Sequence, residues 1–254
     1  MHTHSKKIYF ISDFHLGSPD RERSLIRERK ICQWLDKIKA DALEIFILGD
    51  VFDFWFEYRH VIPKGYVRLL GKLAEITDSG IPVTVFTGNH DMWMFDYLPV
   101  EIGIKIYRQP QQFQFNGKQF YIGHGDGLGP GDRGYKFIKK IFSNKFCQWL
   151  FARFHPDFGI WLANYWSKKS RQHTGHHDAT YLGDDKEFLV QFILDMEQLH
   201  HFDYYIFGHR HLPIQKTIGK SQYVNLGDWL SYFTYAVWDG QDMILKKFEE
   251  SDPI

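Results

Sequence analysis

Ile45-Phe46-Ile47-Leu48-Gly49-Asp50-Val51-Phe52-Asp53 is the stretch on which the fold turns. Four consecutive apolar side chains need cover on both faces, as an interior strand of a largely parallel sheet has. The Gly-Asp that follows ends the run and leaves a carboxylate at the strand's carboxyl end. The same grammar recurs on either side. Ile8-Tyr9-Phe10-Ile11 leads into Ser12-Asp13-Phe14-His15, and Val83-Thr84-Val85-Phe86 leads towards Gly88-Asn89-His90-Asp91. Between them, Arg21 to Lys39 sets Leu25, Ile26, Ile31, Trp34, Leu35 and Ile38 at helical spacing, and Val67 to Ile76 is helical too. Strand, helix, strand, helix, strand predicts βαβ units with right-handed crossovers. Asn116-Gly117 then joins 113–115 to 119–122 as a hairpin, and Gly219-Lys220 and Asp239-Gly240 join further pairs, so the later strands are expected to be antiparallel. Tyr204–Phe207 is another buried strand, ending at Gly208-His209-Arg210-His211.

At 254 residues the chain suits one large α/β domain, with or without an insertion, or two small ones. Hydrophobic residues at 44% supply a sizeable core. Net charge is zero, which gives no general pull towards nucleic acid, and no nucleic-acid partner is expected. Nothing points to an obligatory protein partner. The two cysteines, Cys32 and Cys147, are too few for a disulfide framework or a thiolate metal site. Both sit in helical patterns and read as small buried hydrophobes, and a cytoplasmic setting is expected. Residues 1–7 carry no apolar signal core, and no stretch reaches the ~18 apolar residues of a spanning helix.

Gly127 to Arg171 differs from the rest. It holds eleven aromatics, and nine Lys or Arg against Asp132 and Asp157 alone, all on helical spacing. It reads as a helical cap insertion, residues 127–179, set between core segments 1–126 and 180–254. Most of its aromatics are expected to pack the insertion onto the core, with several lining a ligand groove for acyl chains while the bases meet a diphosphate.

Five polar clusters each follow a predicted strand: Asp13-x-His15, Gly49-Asp50-x-x-Asp53, Gly88-Asn89-His90-Asp91, Gly123-His124 and Gly208-His209-Arg210-His211. Taken singly, each could be an ordinary polar turn. In open α/β sheets, however, ligands gather beyond the carboxyl ends of the strands, so five such ends converge on one place. Asp, Asn and His donors without thiolate suit Mn, Fe, Zn, Co or Ni, and suit poorly an all-oxygen calcium cage. Seven donors exceed one tetrahedral ion; they suit two cations ~3.5–4 Å apart sharing a carboxylate. His2 and His4 lie near a terminus. His173, His176, His177 and Asp178, around Thr174-Gly175, follow no strand and read as a solvated or hinge segment rather than a third metal site.

This ordered series, from Asp13 to His211, resembles the calcineurin-like metallophosphoesterase superfamily. The resemblance implies a four-layer α/β/β/α sandwich. It implies two divalent cations, one on Asp13, His15 and His211, the other on Asn89, His124 and His209, with Asp50 bridging. It further implies that His90 stabilises or protonates the leaving oxygen, that Asp91 orients His90, that Asp53 acts from behind the ligands, and that water held between the cations attacks phosphorus in line.

A closer likeness is to the UDP-2,3-diacylglucosamine pyrophosphatases of lipid A synthesis. It rests on Gly49-Asp50-Val51-Phe52-Asp53-Phe54-Trp55, on His124-Gly125-Asp126-Gly127-Leu128 with Asp132 and Tyr135 following, on Ser167-Lys168, and on Gly208-His209-Arg210-His211-Leu212-Pro213. The likeness implies hydrolysis of the pyrophosphate to a lipid monophosphate and UMP, with manganese as the metal. It implies Trp55, Asn89, Ser167 and Lys168 as substrate contacts, and a peripheral position on the cytoplasmic face of the inner membrane. His90 stands where the best-known members carry Arg; it follows the wider superfamily pattern. The residues leave two alternatives: another phosphodiester or phosphomonoester substrate, such as a nucleotide or phosphoprotein, or a non-catalytic scaffold of the same fold.

Overall fold

The computed structural model describes residues 6–131, 133–174 and 180–249, with the side chains of 168–174 outside that description. His2, His4, Asp132, His176, His177 and Asp178 therefore lie outside the described residues, as do the side chains of Lys168 and His173.

The chain runs β1 (Lys7–Ile11), α1 (Arg21–Ile38), β2 (Ala42–Leu48), α2 (Val67–Asp78), β3 (Val83–Phe86), α3 (Tyr97–Ile102), β4 (Lys105–Tyr107), β5 (Gln111–Phe115) and β6 (Lys118–Ile122). Three helices follow, α4 (Arg133–Ser143), α5 (Lys145–Phe151) and α6 (Pro156–Thr174). The chain then returns through α7 (Phe188–Glu197), β7 (Tyr204–Phe207), β8 (Pro213–Ile218), β9 (Ser221–Leu226), β10 (Thr234–Trp238) and β11 (Met243–Lys247). One sheet has six strands in the order β11-β10-β1-β2-β3-β4, and the other has five, β5-β6-β7-β9-β8.

Strand alternation builds the layers. Ile8 and Phe10 of β1, Phe46 and Leu48 of β2, and Phe86 of β3 point to Phe120, Ile122, Tyr204, Ile206, Val224 and Leu226 of the second sheet, forming the inner core. Tyr9, Ile11, Ile45, Ile47, Val83 and Val85 face the other way, onto Ile31, Trp34, Leu35, Leu69 and Leu73 of α1 and α2. On the far side, Leu189, Val190 and Ile193 of α7 cover Tyr205, Phe207 and Tyr223. The result is the expected α/β/β/α sandwich. Each fully buried strand is covered on both faces, which is why the sequence there shows no polar alternation.

Three expectations need correction. The hairpins β5–β6, β8–β9 and β10–β11 are antiparallel, but β7 pairs parallel to both β6 and β9. A strand pair joined through α7 or across a skipped neighbour can run parallel, and local turn chemistry does not report on such pairs. Cys32 and Cys147 are half-buried rather than buried. Of the eleven aromatics between residues 127 and 171, eight are exposed, including Phe137, Phe146, Trp149 and Trp161. Helices α4, α5 and α6 enclose too little interior among themselves to hide them. Tyr135, Phe142 and Phe151 are the ones turned inward, the last two against Phe54, Phe56 and Trp93.

Among the described residues, no helix is long and apolar enough to cross a membrane.

Candidate metal centre

The five polar clusters meet at one end of the two sheets. Backbone bonds lace their loops together: Asp13 N donates to Gly49 O (3.1 Å), His15 N to Asp50 O (2.8 Å) and Gly208 N to His124 O (3.0 Å). Asp13, His15, Asp50, His209 and His211 all adopt left-handed backbone conformations, with φ between 44° and 65°. For residues bearing a Cβ, such backbone costs on the order of 1–3 kcal/mol each, and it persists where the fold over-determines it for function. Two glycines admit the carboxylates. A Cβ on Gly88 would lie 2.1 Å from Asp50 Oδ1, and one on Gly208 2.6 Å from Asp13 Oδ2.

Asp13, His15, Asp50 and His211 present donor atoms that all lie within 4.8 Å of one another. His211 Nε2 is 3.2 Å from Asp13 Oδ1, and His15 Nε2 is 3.6 Å from Asp50 Oδ2. On the other side of Asp50, its Oδ2 lies 3.5 Å from His124 Nε2, which is itself 3.2 Å from Asn89 Oδ1. Asp50 Oδ2 therefore stands between the two groups of donors. The His209 ring centroid is 5.1 Å from that of His124. Another grouping, His15, Asp53 and His90, shares His15 with the first.

The residues fit a pair of divalent cations. Asp13, His15, Asp50 and His124 are almost wholly buried, and carboxylates in that position need cationic partners. Among the described residues, buried His209 Nδ1 has no hydrogen-bond partner, and Nε2 of His15 faces Nε2 of His211 at 3.1 Å, a distance that needs a proton or a cation nearby. Burial alone would lower the pKa of His124, but Asp50 raises it to about 10; for His211, Asp13 likewise overrides burial and raises it to about 9. Burial, reinforced by His124, holds His209 down to about 4. Asp50 is held well below the usual carboxylate range, burial being outweighed by His124 and His90. Without cations, protons take their place in this site; neutral imidazoles and ionised carboxylates are what a metal requires. His124 Nδ1 lies 2.6 Å from Leu48 O, which can only accept, so Nδ1 carries the hydrogen and the Nε2 lone pair of the neutral ring is left to bind a cation beside Asp50.

The residues expected around the cations divide. Among the described residues, no hydrogen bond joins the Asp91 carboxylate to the His90 ring. Its carboxylate accepts from Gly88 N (2.7 Å) and Val51 N (2.7 Å), and it braces the two loops from within. Burial, with Asp50 nearby, lifts its pKa to about 7. His90 is held instead by Asp53 and Ser167. Trp55, expected as a substrate contact, is fully buried; it stacks on Phe52 at 4.3 Å and donates Nε1 to Glu57 (3.0 Å), which leaves no face for a ligand. Asn89 and Ser167 do line a cavity of about 580 Å³, together with Asp53, His90 and the apolar Phe54, Met92, Trp93, Ile138, Ile141 and Phe142.

Three polar features were missed in the sequence. Asp228 lies behind His211, with Oδ2 3.7 Å from Nδ1. It follows a buried strand as Gly227-Asp228, the same signature as Gly49-Asp50, and could have been read. Asp126 takes Lys139 Nζ and the Tyr135 hydroxyl from α4. Arg210, between His209 and His211, makes a two-point ion pair with Glu187. Neither pairing follows a helical or strand period: Asp126 meets residues 9 and 13 positions on, and Arg210 meets one 23 positions back.

The profile of the calcineurin-like phosphoesterase family matches residues 6–213. A UDP-2,3-diacylglucosamine hydrolase of Porphyromonas gingivalis is 38% identical over 97% of this chain and 99% of its own length. One from Histophilus somni is 27% identical over 88% of this chain and 92% of its own. Among solved structures, Vps29 of Chaetomium thermophilum aligns at 11% identity with a TM-score of 0.45, over 96% of this chain and 86% of that one. The family profile spans most of the sequence and the Porphyromonas relative aligns end to end, so the chain belongs to the calcineurin-like phosphoesterases, metal-dependent hydrolases of phosphate esters.

Proposed function

We propose that the protein hydrolyses the pyrophosphate bond of UDP-2,3-diacylglucosamine, releasing 2,3-diacylglucosamine 1-phosphate and UMP. The observation that carries this reading is the cavity that opens beside the candidate metal ligands at Asn89. It is polar at Asp53, Asn89 and His90 and apolar beyond, on Phe54, Met92, Trp93, Ile138, Ile141 and Phe142. A substrate with a phosphate at one end and acyl chains at the other matches that division. The name borne by the relatives supports the same substrate.

The centre would hold two cations, proposed as manganese, through Asp13, His15, Asp50 and His211 on one side and Asp50, Asn89, His124 and His209 on the other. They would supply Lewis acidity and an activated water. The chain's own groups do the rest. Asn89 and His90 meet the phosphoryl oxygens, and His90 stabilises or protonates the leaving oxygen. The apolar wall shields the reacting centre from bulk water. Residues 127–179 act as a cap, with Lys168 as a further candidate contact for the diphosphate.

Eight exposed cap aromatics lie among Lys136, Lys140, Lys145 and Arg153, and Arg153 sits 4.7 Å over the Trp149 ring. That mixture suits a peripheral position on a membrane surface, proposed as the cytoplasmic face of the inner membrane, from which a lipid substrate is drawn.

The test is turnover of UDP-2,3-diacylglucosamine with Mn²⁺, read by mass spectrometry for UMP and the lipid monophosphate. UDP-N-acetylglucosamine, which lacks the chains, is the comparison. Strong preference for the diacylated substrate is expected. Equal turnover of both, or of neither, would refute the assignment.

A further inference from the structure

His90 Nδ1 lies 3.1 Å from the backbone carbonyl of Asp53 and 3.0 Å from Ser167 Oγ. The carbonyl can only accept, so Nδ1 carries a hydrogen. Ser167 Oγ lies 3.0 Å from Asp53 Oδ2 and donates its one proton there, and its oxygen is thus turned to accept from His90. The ring is gripped on its Nδ1 side by two acceptors. Nε2, on the opposite side, is the nitrogen left for a leaving oxygen, and it gives that oxygen a proton from the doubly protonated ring, which returns to the Nδ1–H form.

One of the two acceptors comes from the cap. Ser167 lies on α6 and is buried. Gly159 and Ala163 precede it at four-residue steps and share its helix face. A Cβ on Gly159 would lie 2.3 Å from Tyr58 Oη, and Ala163 is buried among Phe54, Phe56 and Trp93. Small side chains thus let α6 lie close on the segment that follows Asp53, and this seats the Ser167 hydroxyl between Asp53 and His90.

We propose that Ser167 is a positioning residue: its hydroxyl, delivered by the docked helix α6, fixes the His90 imidazole for the leaving oxygen and so couples cap docking to turnover. This rests on the role given to His90 above and assigns Ser167 to the histidine rather than to the substrate. The Asp53 carbonyl alone would allow the ring to tilt about a single contact; two acceptors from different segments define its plane. Docking of α6 thereby becomes a condition for catalysis even on a substrate too small to touch the cap.

The test is a double-mutant cycle on the metal-loaded full chain, with Ser167→Ala, His90→Gln and the pair. Kinetics are measured on bis(p-nitrophenyl) phosphate and on the diacylated nucleotide sugar, with metal content and thermal midpoint checked for each variant. Loss of one such hydrogen bond converts to a fall of about tenfold in kcat. Ser167→Ala is expected to show that fall on both substrates, with KM and metal content near wild type. The pair should be no slower than His90→Gln alone, because the two side chains act as a unit. Multiplying losses would overturn the proposal, as would a raised KM for the diacylated substrate with unchanged diester turnover. If His90→Gln leaves diester turnover intact, the role of His90 falls and the proposal with it. If His90→Gln is slow and Ser167→Ala is not, the proposal alone falls.

Discussion

Glu187→Ala should be among the most damaging single changes outside the donors themselves. Glu187 and Arg210 are both buried, and they meet through Arg210 Nε to Oε2 and Nη2 to Oε1, each at 3.0 Å. Arg210 Nη2 also donates to Thr180 O (2.8 Å), and Leu182 N donates to Glu187 Oε1 (3.0 Å). The pair therefore pins residues 180–187 onto the loop bearing His209 and His211. Removing one partner of a buried pair costs about 3–5 kcal/mol, because a charge is left without its counterion. At about 2–4 °C per kcal/mol for a chain of this size, the thermal midpoint should fall by roughly 6–20 °C. Circular dichroism melts of the metal-free protein measure this directly. Calorimetric titration with Mn²⁺ should then show weakened binding, since Arg210 sits between two donors. Replacing both partners, Arg210→Met with Glu187→Met, should recover much of the stability, because no buried charge then lacks its partner. A midpoint for Glu187→Ala within about 2 °C of wild type would refute the reasoning, since that corresponds to about 1 kcal/mol or less.

Other outcomes are open to measurement. Gly88→Ala places a Cβ 2.1 Å from Asp50 Oδ1 and 2.6 Å from Asp50 N, so metal content by mass spectrometry should collapse; normal stoichiometry would count against Asp50 as the shared ligand. His124 and His211, raised to about 10 and about 9, carry protons at pH 7.5 in the metal-free protein. Metal loading at that pH should release about two protons, read by calorimetry in buffers of different ionisation enthalpy, and zero release would contradict the charge balance. In the metal-free state these raised values stabilise the fold fully below the ordinary 6.5 and are lost as pH rises through about 9 to about 10, so its melting point should decline over that interval. Trp149→Ser with Trp161→Ser should weaken binding to anionic vesicles severalfold in a flotation assay while leaving diester turnover unchanged, because both side chains are exposed; undiminished flotation would remove the cap face as the contact.

The strand-end clusters were legible because each is local. A buried apolar run, a glycine and a donor stand within a few residues, and the sandwich places all such ends together. The same locality made the Asn116-Gly117 hairpin and the helical character of residues 133–174 readable, though not the division into α4, α5 and α6. Asp228 was equally readable and passed unnoticed beside the histidine clusters. The parallel pairing of β7 with β6 and β9 was not readable, since it depends on partners that meet through a long connection.

Sequence by itself determined the alternation of buried strands and helices, the donor types, and hence a centre of oxygen and imidazole ligands at one end of an α/β sandwich. These follow from side-chain chemistry and from periodicities of two and 3.6 residues, which are properties of neighbouring residues. Tertiary structure alone decided that Asp91 braces backbone while Asp53 and Ser167 hold His90, that Trp55 is buried while Trp93 lines the cavity, and that most aromatics between residues 127 and 171 face outwards. Each depends on which distant segments touch. Contacts between residues 77 or 114 positions apart, as for Ser167 with His90 and with Asp53, leave no periodic trace in a chain.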